Sequence, residues 1–275
     1  MSLVEGRKTL LLVGAGNMGE AMLRSWVLNK VNELSLFVLE PNPSDWLKSV
    51  FEKGLVVLNP KRTPKEIDIC IFAVKPQTLE EVLGKMRQKI SKRTLIISIV
   101  AGKNFRFFQS IFKFNQPLIR VMPNTPVEIN QGISAIVADQ FADHFHIKCV
   151  EELFDSLGET VLLRTESEID AVTAISGSGP AYIFNLIENL IESAKDLGLT
   201  SKLSKKLIIQ TIVGASMLAG SSKQHPGKLR EKVTSPAGTT EAALNVLMHK
   251  KLGWGPIIAK AVHAAHNRSK ELAGK

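Results

Sequence analysis

One stretch near the start of the chain decides the fold: Thr9-Leu10-Leu11-Leu12-Val13-Gly14-Ala15-Gly16-Asn17-Met18-Gly19. It joins a short β-favouring run to a G-x-G-x-x-G motif, and a helical pattern follows as far as Val27. The first glycine permits a tight turn, the second lets a pyrophosphate approach the backbone, and the third lets helix and strand pack closely. The order of strand, glycine motif and helix therefore predicts a dinucleotide-binding β-α unit.

Strand-type and helix-type segments continue to alternate as far as about residue 164. Further strands are predicted at residues 36–39, 68–74, 94–100, 118–122, 133–138 and 159–163, and helices at 77–89, 104–114 and 145–157. Short links between such segments are typical of a mostly parallel, doubly wound α/β sheet. Ligands of such sheets bind beyond the C-terminal ends of the strands. At this edge we expect Gly14, Val74-Lys75 and Ala101-Gly102.

Glu40 ends the second predicted strand, where the adenosine ribose lies in dinucleotide-binding folds. An acidic side chain there accepts hydrogen bonds from a 2′-hydroxyl and repels a 2′-phosphate. Glu40 therefore favours NADH, while Asn42, Ser44 and Lys48 leave NADPH open.

The chain changes character after Arg164, because no β-rich run remains. Helices are predicted at residues 168–175, 180–197, 202–221, 226–233, 240–249 and 256–272. Two of them carry apolar faces at helical spacing: Ala181, Phe184, Ile187, Leu190, Ile191 and Ala194 on one, and Ile208, Ile212, Ala215 and Ala219 on the other. We expect a Rossmann-type domain over residues 1–164 and an all-α domain over residues 165–275, whose apolar helices pack against a second subunit.

A second candidate ligand site is the stretch Ser235-Pro236-Ala237-Gly238-Thr239-Thr240, just ahead of a predicted helix. A helix N-terminus has backbone N–H groups without intrahelical partners and attracts anions. Small residues let an anion approach closely, and the threonine hydroxyls add donors. The alternative is a tight turn with a threonine N-cap and no ligand.

Composition narrows the class of protein. The chain has 275 residues, a formal net charge of +9 and 44% hydrophobic residues. Its basic residues are dispersed rather than interleaved with aromatic ones, so we expect an anionic small molecule and no nucleic acid. Neither a signal peptide nor an apolar run of membrane-spanning length is apparent, and the two cysteines have no motif spacing. We expect the cytoplasm and no membrane partner.

Other catalytic motifs are weak. Ser176 and Ser178 lack the flanking glycines of a G-x-S-x-G nucleophile elbow. His144 and His146 could share a strand face, and His263 and His266 a helix face, but no acidic or cysteine cluster accompanies them. We therefore expect no metal. Lys75 is either a general acid or a cofactor contact.

Together these segments resemble the Δ1-pyrroline-5-carboxylate reductases over residues 9–272. The matching pieces are Gly14-Ala15-Gly16-Asn17-Met18-Gly19, Ala73-Val74-Lys75-Pro76, Met122-Pro123-Asn124-Thr125-Pro126, Asp170-Ala171-Val172-Thr173, Ser176-Gly177-Ser178-Gly179-Pro180-Ala181-Tyr182, His225-Pro226-Gly227 and Ser235-Pro236-Ala237-Gly238-Thr239-Thr240. The resemblance implies a nicotinamide cofactor, NADPH or NADH, and hydride transfer to C5 of the cyclic imine 1-pyrroline-5-carboxylate, giving L-proline. It also implies dimers through interleaved C-terminal helices, often five dimers in a ring.

The resemblance further implies roles for individual residues. The implied cofactor-binding residues are Gly14, Ala15, Gly16, Asn17, Met18, Gly19, Glu40, Val74, Lys75, Pro76, Ala101, Gly102 and Asn124. The implied substrate-binding residues are Glu166, Ser235, Ala237, Gly238, Thr239 and Thr240, with Thr240 as catalytic proton donor or relay. Two positions depart from the family pattern: Ala237 replaces a glycine, and Glu40 replaces the small or polar residue that many members place beside a 2′-phosphate.

Two other functions remain open on the sequence. β-Hydroxyacid dehydrogenases join a similar glycine-motif domain to a helical one, but they use a Lys-x-x-x-Asn motif that does not occur after residue 164. A nucleotide-sensing protein without catalysis would keep the glycine loop but would have no use for residues 235–240.

Overall fold

Eight strands form one sheet in the computed structural model, which describes residues 8–29, 34–61, 63–112 and 115–274. The strands are β1 (Lys8–Val13), β2 (Leu34–Leu39), β3 (Val57–Leu58), β4 (Ile69–Phe72), β5 (Leu95–Ser98), β6 (Leu118–Met122), β7 (Gly132–Ala138) and β8 (Gly158–Leu162). Their order is β3-β2-β1-β4-β5-β6-β7-β8, and only β6 and β7 pair antiparallel. The predicted mostly parallel, doubly wound sheet is confirmed.

The helices are α1 (Asn17–Leu28), α2 (Asp45–Glu52), α3 (Leu79–Met86), α4 (Phe105–Ile111), α5 (His144–Asp155), α6 (Glu168–Val172), α7 (Gly179–Asp196), α8 (Ser201–Ser221), α9 (Pro226–Lys232), α10 (Thr239–Leu247) and α11 (Trp254–Leu272). A π-helical turn, Thr173–Gly177, follows α6. Helix α2 was not predicted, although Ser44 is its N-cap and accepts a hydrogen bond from the Leu47 N–H. Residues 113 and 114, the end of a predicted helix, lie outside the described residues.

The predicted strand face for His144 and His146 is wrong, because both residues lie in the first turn of α5. Asp143 precedes this helix and its side chain accepts a hydrogen bond from the His146 N–H at 3.0 Å. The His146 ring in turn accepts from the Asp143 N–H at 3.2 Å. His146 therefore stabilises a helix end, as the N3 member of a capping box.

The sheet has a hydrophobic core on each face. Leu10 and Leu12 of β1 pack on one face with Trp26 of α1, and Leu11 and Val13 pack on the other face. This alternation follows from strand geometry, in which successive side chains point to opposite faces. Helices cover both faces, as is usual for sheets of mostly parallel strands.

The described chain divides into two compact units, residues 1–178 with 265–275, and residues 179–264. We call them the sheet unit and the helical unit. The predicted domains, 1–164 and 165–275, divide the chain by sequence character and stay a prediction. In the structure α6 belongs to the sheet unit, because Ile169 is buried against Met122 and Val137. Ser269, near the end of α11, donates a buried hydrogen bond of 2.9 Å to the Asp170 carboxylate.

The helical unit has no buried apolar side chain between residues 179 and 264. Helices α7 and α8 contact each other. On α7 Phe184 is 59% exposed, and on α8 Met217 is 71% exposed. Among the helices of the described residues, none combines the length and apolar character that crossing a membrane requires.

Candidate functional site

The glycine loop after β1 has the backbone that the motif predicts. Gly14 has φ +94°, and a Cβ added there would lie 2.8 Å from the Ala73 carbonyl oxygen. A Cβ at Gly19 would overlap the Gly14 carbonyl oxygen, so α1 packs closely on the loop. At Gly16 an added Cβ would meet nothing within 4 Å. The loop therefore needs Gly14 and Gly19 for its own packing, while Gly16 leaves an open face for a ligand.

Helix α1 starts directly from this open face. Gly16 is its N-cap and makes no side-chain cap. The first N–H groups of this 12-residue helix have no intrahelical partner, and Gly16 has no side chain that could accept from them. Such a terminus favours a phosphate, so the residues present fit a dinucleotide pyrophosphate.

Glu40 lies against the same loop. Its Oε2 accepts a hydrogen bond from the Ala15 N–H at 2.8 Å, and its Oε1 accepts from the Asn42 N–H at 2.9 Å. Asn59 holds the Glu40 backbone from both sides, with bonds of 2.9 Å to its N–H and 2.7 Å to its carbonyl. The carboxylate is thus fixed at the end of β2, next to the loop. Its contact with a ribose stays a prediction.

The turn after β4 contributes Val74 and Lys75. β4 pairs with β1, and the Ala73 N–H donates to the Val13 carbonyl at 2.8 Å. Val74 Cγ1 would lie 2.8 Å from a Cβ on Gly14, so the two turns are in contact. Lys75 is exposed, and its carbonyl accepts from the Thr78 hydroxyl at 3.0 Å. The expectation that Gly14 and Val74-Lys75 lie at one edge of the sheet is met.

The turn after β5 carries Ala101 and Gly102. Gly102 has φ +71°, and a Cβ added there would lie 2.8 Å from Leu272 Cβ. β5 pairs with β4, so this turn follows the next strand along the same sheet edge. The glycine is required by its backbone angle and by the close approach of α11.

Asn124 follows β6 and is 9% exposed. Its Oδ1 accepts from the Ile133 N–H at 3.0 Å, and its Nδ2 donates to the Ser176 carbonyl at 3.2 Å. These bonds tie β7 and the π-helical turn to the end of β6. The cofactor contact implied for Asn124 stays a prediction.

Glu166 lies inside the sheet unit and accepts two hydrogen bonds on one oxygen. Its Oε1 accepts from the Phe105 N–H at 2.6 Å and from Arg120 Nη1 at 2.9 Å. Sequence reasoning did not single out Arg120, which is 3% exposed in the middle of β6. The signal was present, since a charged residue stands inside the otherwise apolar run Leu118-Ile119-Arg120-Val121-Met122.

The loop at residues 235–240 is a capped turn of unusual backbone. Gly238 is the N-cap of α10, so the threonine N-cap of the alternative interpretation is wrong. Ala237 has φ +58°, the left-handed region in which a glycine would be unstrained. Its N–H donates to Glu241 Oε2 at 2.7 Å, and the Gly238 N–H donates to the Ser235 carbonyl at 3.1 Å.

The N–H donors of the loop fall into two groups, those with a protein acceptor and those at the start of α10. The N–H groups of Ala237 and Gly238 already have protein acceptors, whereas Thr239 and Thr240 begin α10, where first-turn N–H groups have no intrahelical partner. A cavity of about 310 Å³ lies near this loop, between α9 and α10, and is lined by Arg230, Glu231, Thr234, Glu241, Leu244, Asn245 and Met248. None of these lining residues belongs to residues 235–240, but Thr234 directly precedes the loop and Glu241 accepts a hydrogen bond from the Ala237 N–H, so the cavity adjoins the predicted anion site.

The histidine, cysteine and acidic side chains are the candidates for metal or thiol chemistry. The described residues contain no group of three or more histidine, cysteine, aspartate or glutamate side chains that could hold a metal ion. Cys70 is buried in the sheet, as predicted, and Cys149 is also a free thiol. Burial is the main cause that raises the pKa of Cys149 to about 12, so this thiol stays protonated at neutral pH.

Curated relatives match this chain over nearly its whole length. The pyrroline-5-carboxylate reductases of Methanosarcina acetivorans, Synechocystis sp. and Pisum sativum are 36%, 34% and 35% identical to it. Each match covers 96% of this chain, and the matches cover 97%, 98% and 96% of the three relatives. This chain belongs to the pyrroline-5-carboxylate reductase family.

Family models and solved structures agree with this membership. A model described as pyrroline-5-carboxylate reductase dimerisation matches residues 166–272, and one described as NADP oxidoreductase coenzyme F420-dependent matches residues 9–102. The pyrroline-5-carboxylate reductase structure from Coxiella burnetii has a TM-score of 0.87 at 30% identity, covering 98% of this chain and 99% of its own. The Plasmodium falciparum enzyme, solved with NADP bound, has a TM-score of 0.83 at 28% identity, covering 97% and 98%. The predicted resemblance and fold class are confirmed.

Proposed function

We propose that this protein is a pyrroline-5-carboxylate reductase, which reduces 1-pyrroline-5-carboxylate to L-proline with NAD(P)H. The proposal rests on the 34–36% identity to relatives of that name, which extends over nearly the whole chain. The glycine loop supports it independently, because Gly14 and Gly19 are required for packing and Gly16 is open to a ligand. When bound, the nicotinamide supplies the hydride that reduces C5 of the imine.

The cofactor site in this proposal follows the edge of the sheet at β1, β4 and β5. The loop from Gly14 to Gly19 and the α1 N-terminus hold the pyrophosphate. Val74-Lys75-Pro76 and Ala101-Gly102 continue the site along the edge, and Asn124 completes it after β6. The chain's contribution is to hold the reacting carbon atoms in contact range, which supplies much of the rate enhancement in such reactions.

Glu40 adds NADH use to the proposal. Its carboxylate is fixed 2.8 Å from the Ala15 N–H, at the end of β2. A 2′-phosphate beside this carboxylate would meet a like charge, whereas a 2′-hydroxyl can donate to it. We therefore expect the protein to accept NADH readily, even though one structural relative was solved with NADP bound.

The substrate site in this proposal is the loop of Ser235, Ala237, Gly238, Thr239 and Thr240. The substrate is a carboxylate, and the first turn of α10 offers N–H donors and a favourable dipole. Thr240 donates or relays the proton to the imine nitrogen, and no strong acid is needed because an imine takes a proton from solvent. We leave Glu166 out of this set, because its Oε1 is bonded inside the sheet unit.

Self-association completes the proposal. The matching family model is one of dimerisation, and no apolar side chain between residues 179 and 264 is buried within the chain. A second copy covering the helical unit would remove that surface from water. A homodimer is the smallest assembly that does so, and a ring of five dimers is the larger one that the resemblance implies. We also propose the cytoplasm as location, since both cysteines are free.

The proposed function is tested by adding 1-pyrroline-5-carboxylate to the protein with NADH or NADPH. Oxidation of the cofactor is measured by its absorbance. The variant Thr240→Ala should lower kcat/KM for the imine by about 100-fold and leave the Kd of the cofactor unchanged. Thr234→Ala is the control, because the Thr234 hydroxyl donates to the nearby Arg230 carbonyl, at 2.7 Å, and lies outside the proposed substrate loop. Equal activity in Thr240→Ala would remove Thr240 from the mechanism, and no oxidation of either cofactor by the wild type would overturn the function.

A further inference from the structure

We propose that Glu166 and Arg120 form a positioning pair that keeps the turn after β5 in the shape the cofactor needs. This inference rests on the proposed function. It assigns Glu166 to cofactor binding rather than to substrate binding. Glu166 acts through the turn, and it does not itself touch the reacting atoms.

The pair fixes the downstream end of the turn. Phe105 is the first residue of α4, and its N–H donates to Glu166 Oε1 at 2.6 Å. Arg120 Nη1 donates to the same oxygen at 2.9 Å. The Arg120 side chain is 4% exposed and that of Glu166 24%, so water screens the contact little. Charge-assisted bonds of this length are the stronger kind in proteins.

Arg120 also lies directly beside the strand that leads into the turn. In the sheet it is the register partner of Ser98, the last residue of β5. The Ser98 hydroxyl accepts from the Val100 N–H at 3.3 Å, at the beginning of the turn. Arg120 and Glu166 therefore connect the two ends of the segment between β5 and α4.

The upstream part of the turn is held by packing. Gly102 approaches Leu272 so closely that an added Cβ would lie 2.8 Å from Leu272 Cβ. Ala101 packs on a small cluster with Ile169 and Phe105. Asn104 caps α4 by accepting from the Phe107 N–H at 3.0 Å. Packing holds Gly102 from one side, and the charged pair holds Phe105 from the other.

A buried ion pair is weak evidence for stability, since apolar residues of similar volume often replace such pairs without loss. Removing one partner is different, because it leaves the other charge unpaired in the protein. If the pair positions a ligand-binding turn, its removal should lower the affinity for the ligand even in a variant whose stability is restored. This separates a positioning role from a purely structural one.

The test measures binding of NADPH and NADH directly, by isothermal titration calorimetry on the full chain without substrate. Glu166→Gln keeps an acceptor for the Phe105 N–H but removes the charge beside Arg120, and we expect the Kd to rise by about threefold. Glu166→Ala removes both bonds and should raise it by about 30-fold. In turnover the cofactor KM should rise by similar factors, while the KM for the imine stays within about twofold.

Glu168→Gln is the matched control. Glu168 stands two residues further on in the same segment, and its Oε2 accepts from the Arg164 and Thr165 N–H groups, both at 2.8 Å. Those bonds stay within its own turn and do not reach the β5–α4 segment. We expect the Kd of this variant for NADPH and NADH to equal that of the wild type.

The double variant Arg120→Met with Glu166→Ala separates an effect on binding from a loss of stability, because neither charge of the ion pair is left without its partner. We expect its melting temperature to return towards that of the wild type while its cofactor Kd stays raised. A double variant that regains both values would reduce the pair to a structural role and overturn the inference. An unchanged cofactor Kd in Glu166→Ala together with a raised imine KM would make Glu166 a substrate ligand instead. A wild type that binds neither cofactor would overturn the proposed function itself.

Discussion

The sheet unit buries its large apolar side chains, whereas the helical unit exposes them. In the sheet unit Trp26 is 1% exposed and Phe154 is fully buried, on helices that pack against the sheet. In the helical unit Phe184 is 59% exposed, on a helix of similar apolar character. The first unit has a hydrophobic core of its own, whereas the helices of the second expose their apolar side chains. From this difference we expect self-association to involve the helical unit.

The sharpest test of this comparison uses two phenylalanines of equal exposure. Phe184 in α7 is 59% exposed and Phe145 in α5 is 60% exposed. Phe184→Glu should weaken self-association by about 100-fold, because a charge would be buried at the contact between copies. Phe145→Glu should leave it unchanged, since single exposed apolar residues are normal on a surface. Sedimentation equilibrium measures both.

The activity of the two variants extends this test. If the activity of the helical unit depends on self-association, Phe184→Glu should lose most of its imine reduction as the copies dissociate, while Phe145→Glu keeps it. Two variants that dissociate and melt alike would contradict the distinction between the units.

The next effect in size separates packing from binding within the sheet unit. Gly14→Ala should cost about 3 kcal/mol of unfolding free energy, because the new Cβ meets the Ala73 carbonyl at a φ of +94°. Gly16→Ala should cost about 1 kcal/mol or less, since no atom lies within 4 Å of the new Cβ. It should instead raise the cofactor Kd by about tenfold, because the methyl group occupies the face that a pyrophosphate approaches.

Urea unfolding and calorimetric titration of the same samples measure these two quantities. A Gly16→Ala variant with wild-type cofactor affinity would place the pyrophosphate elsewhere. A stable Gly14→Ala variant would mean that the loop relaxes more easily than its contacts indicate.

The smallest expected effect concerns left-handed backbone in each unit. Ala237 in the helical unit has φ +58° and Asn130 in the sheet unit has φ +57°. Ala237→Gly should raise the unfolding free energy by about 0.5 to 1 kcal/mol, because glycine adopts this conformation without strain. Asn130→Gly should change it by less than about 0.5 kcal/mol, since asparagine tolerates the region well.

Thermal unfolding under matched protein concentrations compares the two variants. A gain at Asn130 as large as that at Ala237 would show that removal of strain at the substrate loop is not the cause. If Ala237→Gly also changes the imine KM, the strain itself contributes to substrate binding.

Much of the fold could be predicted from local patterns. The strand before Gly14, the glycine loop and the long helices α7, α8 and α11 follow from residue type and periodicity within a few positions. Strand β3 escaped prediction because two residues are too few for a period to show, and α2 escaped it although α3, of the same length, did not. The α10 cap was wrong because Ala237, which is not a left-handed residue by preference, takes φ +58° and moves the cap to Gly238.

By itself, the sequence determined that the chain starts with a dinucleotide loop and ends in apolar helices, because glycine geometry and helical period are local properties. Only the tertiary structure decided what Glu166 does, since its partner Arg120 is 46 residues away in the chain. The same holds for Gly102. It has no room for a side chain because Leu272, near the end of the chain, lies against it. Contacts between distant segments depend on how helices pack on the sheet, and no spacing rule along the chain encodes that packing.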